Sequence, residues 1–385
     1  MRKCLLIFCM MIPLYGWAQK VDSVETKERK NLRFSILGGP GYTPDFGLLV
    51  GGSCLFTFST NQSDTLLKRS VVPVAFAYMA NGGGSFIIKP QLFFNGDKFR
   101  IFGQMSMNNT LDNYYGVGYE TNKNRQRDTD STEYRSKGYQ FNPQFLFRYK
   151  DTDLFWGVSV DIAHENMTNP GEGVYNDENY VKQGGDDFGL DYYNVGLGIN
   201  MSYDTRDIPA NAYKGIFVEF GATFYSKTLG STSSFGVVNL QYRQFKELKF
   251  LGERKVFAWM LNSRNSFGDV PISELSMIGS PFDLRGYYMG QYRDKSAIYA
   301  MGEYRHMFNA GEETKWQRLA SKFGFAAWAG MGSIYSEFNN MSRVLPNFGA
   351  GLRIEVQPRM NFRVDIGHNP VNKQTLLYFN MTEAF

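Results

Sequence analysis

A closed barrel of sixteen antiparallel transmembrane β-strands is the fold class this sequence predicts. Three observations predict it. Apolar and polar residues alternate with period two in segment after segment. The chain carries 33 Phe, 24 Tyr and 40 Gly, yet its mean hydropathy is only −0.35. The connections between segments alternate in length with strand parity. A barrel wall shows lipid only every second residue, so it can be rich in aromatics and still be polar on average. Within hydrocarbon every backbone group must be paired, which requires closure and favours an even strand count.

The chain starts with a segment that reads as a secretory signal, residues 1–18. Arg2 and Lys3 supply the basic start, Leu5 to Leu14 the apolar core, and Gly16-Trp17-Ala18 a small-residue cleavage site. Residues 19–31 are expected to form a short periplasmic tail, too short for a folded domain, and 32–385 the barrel. Cys4 and Cys9 leave with the signal and Cys54 stands alone, so no disulfide framework or cysteine metal site is expected. No later run approaches the roughly 18 apolar residues of a membrane helix. A net charge of +4 is small and dispersed, which argues against nucleic acid. The soluble alternative is a large secreted β-sandwich.

The strands are placed near 32–40, 46–58, 70–80, 84–94, 98–107, 134–149, 153–164, 188–204, 213–225, 235–245, 255–266, 296–308, 322–335, 346–357, 360–369 and 375–385. The alternation is plain in several. Phe141, Pro143, Phe145, Phe147 and Tyr149 oppose Gln140, Asn142, Gln144 and Arg148. Val195, Leu197, Ile199, Met201 and Tyr203 oppose Asn194, Gly196, Gly198, Asn200, Ser202 and Asp204. Phe348, Ala350, Leu352, Ile354 and Val356 oppose Asn347, Gly349, Gly351, Arg353 and Glu355. Tight connections at 95–97, 151–152 and 357–358 follow even strands, and the long ones at 108–133, 165–187 and 267–295 follow odd strands. Short periplasmic turns and long outer loops have this parity when both termini are periplasmic, in a Gram-negative-type outer membrane.

Several motifs then fall in a telling order. Leu284-Arg285-Gly286-Tyr287 lies in the connection between the eleventh and twelfth strands, followed by Gln291-Tyr292-Arg293-Asp294 and by Met301-Gly302-Glu303-Tyr304-Arg305. Asp204, Arg206, Asp207, Pro209 and Gly215 mark a mid-barrel turn, Arg363-Val364-Asp365-Ile366-Gly367 the penultimate strand, and Phe385 the end. Together they resemble the BamA/TamA family of outer-membrane assembly and translocation barrels, also called the bacterial surface antigen family. The resemblance implies an inward-folded sixth extracellular loop carrying the arginine motif, and Phe385 as a C-terminal signal. It implies insertion, assembly or translocation of proteins without chemistry or cofactor. The partners it implies are outer-membrane lipid, client proteins, and unidentified periplasmic or outer-membrane subunits. Two departures stand out. The chain leaves no room for the periplasmic POTRA repeats usual in the family, which points to its short, barrel-only branch. The strand that usually supplies an aspartate near the loop's dock reads Phe325-Ala326-Ala327-Trp328-Ala329-Gly330, so Arg285 needs another anion.

Strand parity offers Glu303, Glu355 and Asp365 as partners for Arg285, one or more of them. The alternative is a lumen wall in which Arg353, Arg363, Glu355 and Asp365 satisfy one another. The first strand ends in Gly38-Gly39-Pro40-Gly41, residues that weaken a ladder. The seam it makes with the last strand is therefore either a sideways gate or merely the lead into a tight outer turn. Among other candidates, His164, His306 and His368 lack the serine partner and orienting group that acyl hydrolysis needs, and no enzyme is expected. Asp177, Glu178, Asp186, Asp187 and Asp191 match no dedicated calcium-loop spacing and read as solvated surface. Lys123, Arg125 and Arg127 read as ordinary loop cations. The competing function is a passive or gated pore for small polar solutes.

Overall fold

The computed structural model describes residues 31–385 except 65–66, 312, 338–340 and 342; the expected signal and most of the tail lie outside the described residues. The wall runs through β1 (Arg33–Thr43), β2 (Gly47–Phe58), β3 (Ser70–Met79), β4 (Gly83–Ile88) with β5 (Gln91–Phe94), β6 (Phe99–Asn113), β7 (Glu133–Arg148), β8 (Leu154–Thr168), β9 (Leu190–Asp204), β10 (Gly215–Tyr225), β11 (Phe235–Glu247) and β12 (Lys255–Gly268). It continues through β15 (Ser296–Met307), β16 (Phe323–Tyr335), β17 (Leu345–Gln357), β18 (Met360–Asn369) and β19 (Gln374–Met381). β4 and β5 are one wall position, interrupted at Lys89-Pro90, where proline has no ladder N–H to give. Both parts pair with β6 on one side and β3 on the other, so the wall has sixteen positions and every neighbour is antiparallel. The sixteen segments expected from alternation are all present. The error lies in their ends: β6 and β8 run several residues further, to Asn113 and Thr168.

Alternation has the expected consequence for burial. Trp156 and Val158 on β8, Leu197, Ile199 and Met201 on β9, Phe348 and Leu352 on β17 and Ile366 on β18 are exposed on the outer face. Their neighbours in sequence turn inward. An apolar face repeated around a closed wall is a lipid belt.

The two rims differ. Connections 114–132, 169–189 and 269–295 leave one rim and pack on each other. Short helices α1 (Tyr119–Asn124), α2 (Thr129–Thr132), α3 (Glu172–Tyr175) and α4 (Glu178–Lys182) belong to this cover. Its apolar centre includes Tyr114, Tyr134, Tyr180, Tyr192, Val270 and Ile272. Gln183 ties the second connection to the third, donating to the Val270 carbonyl at 3.0 Å and accepting from the Ile272 amide at 3.0 Å. The opposite rim carries the shorter turns, together with both ends of the wall.

Closure is uneven. β18 and β19 pair from Phe362↔Met381 to Asn369↔Gln374, and β1 pairs with β2 along its whole length. β1 and β19 meet at a single pair, Tyr42↔Phe379. The last strand was expected to run to 385. It stops at Met381 because Thr382 adopts φ 67° and turns the chain inward, leaving most of the β1 edge that faces β19 without a strand to pair against.

Candidate functional site

The connection 269–295 begins and ends as a two-stranded hairpin, β13 (Ser276–Ile278) against β14 (Tyr292–Asp294). Between them, residues 279–291 pack against the inner faces of β15 to β19. Gly286 makes the bend possible. Its φ is 114°, which L side chains rarely adopt, and an added Cβ would lie 2.8 Å from the His368 carbonyl carbon. The wall makes room as well. One cross-strand row reads Glu303, Trp328, Gly349 and Gly367. A Cβ on Gly349 would strike the Trp328 ring at 2.3 Å, and one on Gly367 would approach the Arg285 backbone at 2.6 Å. The two glycines form a recess for the indole and for the loop.

Arg285 occupies that recess with 0% exposure. Its Nη1 donates to Asp365 Oδ2 at 2.7 Å and its Nη2 to Glu303 Oε2 at 2.5 Å. The guanidinium carbon lies 3.5 Å over the Trp328 ring, a cation–π contact on the strand that lacks the family's aspartate. Asp365 also accepts from Arg353 Nη1 at 2.6 Å and Arg363 Nη1 at 2.5 Å. Glu303 Oε1 accepts from Arg305 Nε at 2.7 Å. A buried guanidinium loses several kcal/mol of hydration, which only close pairing recovers; here each carboxylate serves more than one arginine.

The loop backbone is held in parallel. Asn347 Nδ2 donates to the Arg285 carbonyl at 2.9 Å, and Asn369 Nδ2 to the Gly286 carbonyl at 2.6 Å. Tyr378 accepts from the Gly286 amide at 2.8 Å and donates to the Tyr287 carbonyl at 3.2 Å. The Tyr287 hydroxyl donates to the Pro346 carbonyl at 2.8 Å, and Leu284 sits fully buried in the adjoining apolar cluster. Of the three carboxylates offered by parity, Asp365 and Glu303 meet Arg285. Glu355 does not: it lies two positions nearer the short-turn rim than Arg353, is partly exposed, and accepts from Arg254 at 2.7 Å.

Sequence reasoning missed several members of the site. Trp328 and Tyr378 were assigned no role, although Trp328 opposes Glu303 and Tyr378 opposes Asp365 once register is known. It also missed Glu383. The segment 382–385 enters the lumen, where Glu383 Oε2 accepts from Arg353 Nε at 2.8 Å and the Phe385 carbonyl accepts from Arg305 Nη2 at 2.8 Å. Phe385 is buried beside Phe245, not displayed on the wall.

The mid-barrel turn has its own geometry. Arg206 is bidentate on Asp204, at 2.9 and 2.8 Å, and Asp207 accepts from the Tyr213 amide at 3.0 Å. Asp207 also pairs with Arg359 from the turn between β17 and β18, and Arg359 stacks 3.4 Å over the Tyr213 ring. The turn therefore reaches past four intervening strands at the short-turn rim. Gly215 follows with φ 110°, and a Cβ there would meet the Thr205 carbonyl at 2.4 Å. Pro209 accepts from Arg206 through its carbonyl at 3.4 Å.

A latch joins the seam to the loop. In the β1–β2 turn, Asp45 Oδ1 accepts from the Met289 amide at 2.7 Å, while Arg127 donates to the Pro44 and Asp45 carbonyls at 2.6 Å each and lies over Tyr288. Burial, opposed by the Met289 amide and by Arg127, pushes the Asp45 carboxyl up to about 6. Arg127 is thus no ordinary loop cation, and neither is Arg125, which pairs with Asp177 at 2.9 Å. Asp177 caps α4 and Asp191 meets His164 at 2.6 Å, so these acids are engaged by protein groups. His306 stacks on Phe325 on the outer face.

Away from this packed side, β5 to β12 enclose a polar chamber of about 670 Å³, lined by amides such as Gln104, Gln140, Asn142 and Asn200 and by Asp161 and Arg264.

Comparison with known proteins agrees with this architecture. The Omp85 superfamily domain matches residues 78–385. Solved structures of similar fold include BamA from Haemophilus ducreyi lacking POTRA domains 1–3, at 12% identity and TM-score 0.63, over 92% of this chain and 71% of that one. CdiB from Escherichia coli aligns at 10% identity and TM-score 0.60, over 92% and 63%. CdiB from Acinetobacter baumannii aligns at 12% and 0.54, over 92% and 60%. The chain thus spans less than two thirds of either CdiB structure. No curated protein matches in sequence.

Proposed function

We propose that this chain, which belongs to the Omp85 superfamily, takes part in inserting, assembling or translocating proteins at the outer membrane. Its moving part is the β1–β19 seam, and the loop carrying Arg285 fixes the lumen side of the neighbouring wall. The carrying observation is the seam itself: one residue pair, Tyr42↔Phe379, closes a wall whose adjacent β18–β19 ladder is continuous. An edge with unpaired N–H and C=O groups can accept an incoming strand or part sideways. Both ends of the wall lie at the short-turn rim, which we place in the periplasm with the covered rim outside. A disulfide between Tyr42→Cys and Phe379→Cys, in a Cys54→Ser background, tests this. Locking the seam should deplete client proteins from the outer membrane, with recovery on reduction. An unchanged membrane proteome with the lock formed would sink the proposal.

The pore reading is favoured by one observation, the polar chamber. The charged lumen residues are not free to select ions: Arg353, Arg363 and Asp365 are fully buried and paired with each other, and Glu355 is paired with Arg254. A pore would conduct steadily in planar bilayers with the loop in place. The reading preferred here gives a mostly closed barrel.

A further inference from the structure

The connection between β15 and β16, residues 308–322, carries a helix that the lumen site does not use. This helix, α5 (Lys315–Ala320), is well specified: Thr314 caps it, and Gln317 completes a reciprocal capping box. Trp316 and Leu319 are one turn apart and so share a face. They are 77% and 46% exposed, an unfavourable arrangement for a capped helix in water.

Four features say what covers that face. First, Leu319 is four residues from Phe323, which begins the outer, lipid-facing phase of β16 with Phe325. Second, Tyr304, His306, Phe308 and Phe325 form a continuous ring cluster on that outer face, leading from the belt to the start of the connection. Third, Lys315, Arg318 and Lys322 are exposed cations around the apolar pair. Fourth, the neighbouring turn repeats the pattern: Phe250 is 82% exposed, beside exposed Leu251 and Lys249. Arg254 fastens the two connections together, donating to the Ser321 carbonyl at 2.7 Å and the Phe308 carbonyl at 3.5 Å.

We infer that α5 is an interfacial anchor, with Trp316 and Leu319 entering the phospholipid leaflet at the short-turn rim and Lys315, Arg318 and Lys322 meeting headgroup phosphates. Aromatic side chains prefer this boundary, where one end is apolar and the other wet, and basic residues complement phosphate there. The anchor lies beside β15, the strand that carries Glu303 and Arg305, and so fixes the depth of the packed side of the barrel. The seam, at the far edge of that packed side beyond β19, keeps its freedom to move.

The test uses the full chain in a Cys54→Ser background, with single substitutions Trp316→Cys, Leu319→Cys or, as a water-exposed control, Glu313→Cys. Each is labelled with an environment-sensitive fluorophore and reconstituted into phosphatidylethanolamine–phosphatidylglycerol vesicles containing a shallow nitroxide lipid. Quenching at 316 and 319 should exceed that at 313 by about threefold or more, as an interfacial apolar face requires. Lys315→Glu with Arg318→Glu should reduce that excess. Aqueous iodide quenching 316 and 319 as strongly as 313 would overturn the inference. So would shielding that appears only when soluble periplasmic protein is added, since the face would then be a protein-docking site.

Discussion

Replacing Arg285 and Glu303 singly and together should separate loop docking from wall stability. The ion-pair cluster joins four guanidiniums, Arg285, Arg305, Arg353 and Arg363, to three side-chain carboxylates, Glu303, Asp365 and Glu383, a side-chain excess of 4 − 3 = 1 positive charge, with Arg305 also donating to the Phe385 main-chain oxygen. Breaking a buried pair commonly costs about 3–5 kcal/mol because a charge is stranded. Arg285→Ala strands none: Asp365 keeps Arg353 and Arg363, Glu303 keeps Arg305, and the side chains balance at three guanidiniums to three carboxylates. Its global cost should be only ~1–3 kcal/mol. Glu303→Gln leaves four cations facing two anions and should cost the full ~3–5 kcal/mol. In the double variant three cations face two anions, the wild-type excess, so the two effects should be sub-additive by ~1–3 kcal/mol. Urea unfolding in lipid vesicles measures the global terms. Limited proteolysis within 269–295 reads the loop, whose cleavage follows its open population, and Arg285→Ala should speed it roughly tenfold or more, since ~1.4 kcal/mol is a factor of ten. Additive single effects, or a loop whose cleavage does not change in Arg285→Ala, would refute the reasoning.

Gly286→Ala should displace the loop at least as strongly, through its φ of 114° and the contact with the His368 backbone, and hydrogen exchange at 284–288 would show it. Deleting residues 279–291 should turn a mostly closed barrel into one with steady single-channel conductance in planar bilayers. The latch should depend on pH. The folded Asp45 carboxyl titrates near 6, above its ordinary value of 3.8, so its contribution is fully present below about 4 and is lost as pH rises through about 6. Protection of the Met289 amide should therefore fall from pH 5 to pH 7, and Asp45→Asn should flatten that dependence.

The wall was legible because period-two alternation survives inspection of single strands and because lipid demands it on every strand. Ends were less legible. Nothing local distinguishes the last wall residue from the first loop residue in β6 or β8, where the ladder continues above the belt. Glu303 and Asp365 could be proposed from parity, since both sit on polar phases. Trp328 could not, because an inward tryptophan looks apolar until its register with Glu303 and Gly349 is known. Arg127 was unreadable for a different reason: its acceptors are backbone carbonyls some eighty residues away, and backbone leaves no mark in a sequence. The inward turn at Thr382 likewise depends on Arg305 and Arg353 waiting in the lumen.

Site-specific photo-crosslinking from Tyr42 or Phe379 in native outer membrane, followed by mass spectrometry, bears most directly on the role assigned to the seam. Crosslinks to other barrel or surface polypeptides are the predicted result. Crosslinks confined to lipid and to the chain's own β1 and β19, with steady conductance of the purified barrel, would contradict it and leave a pore.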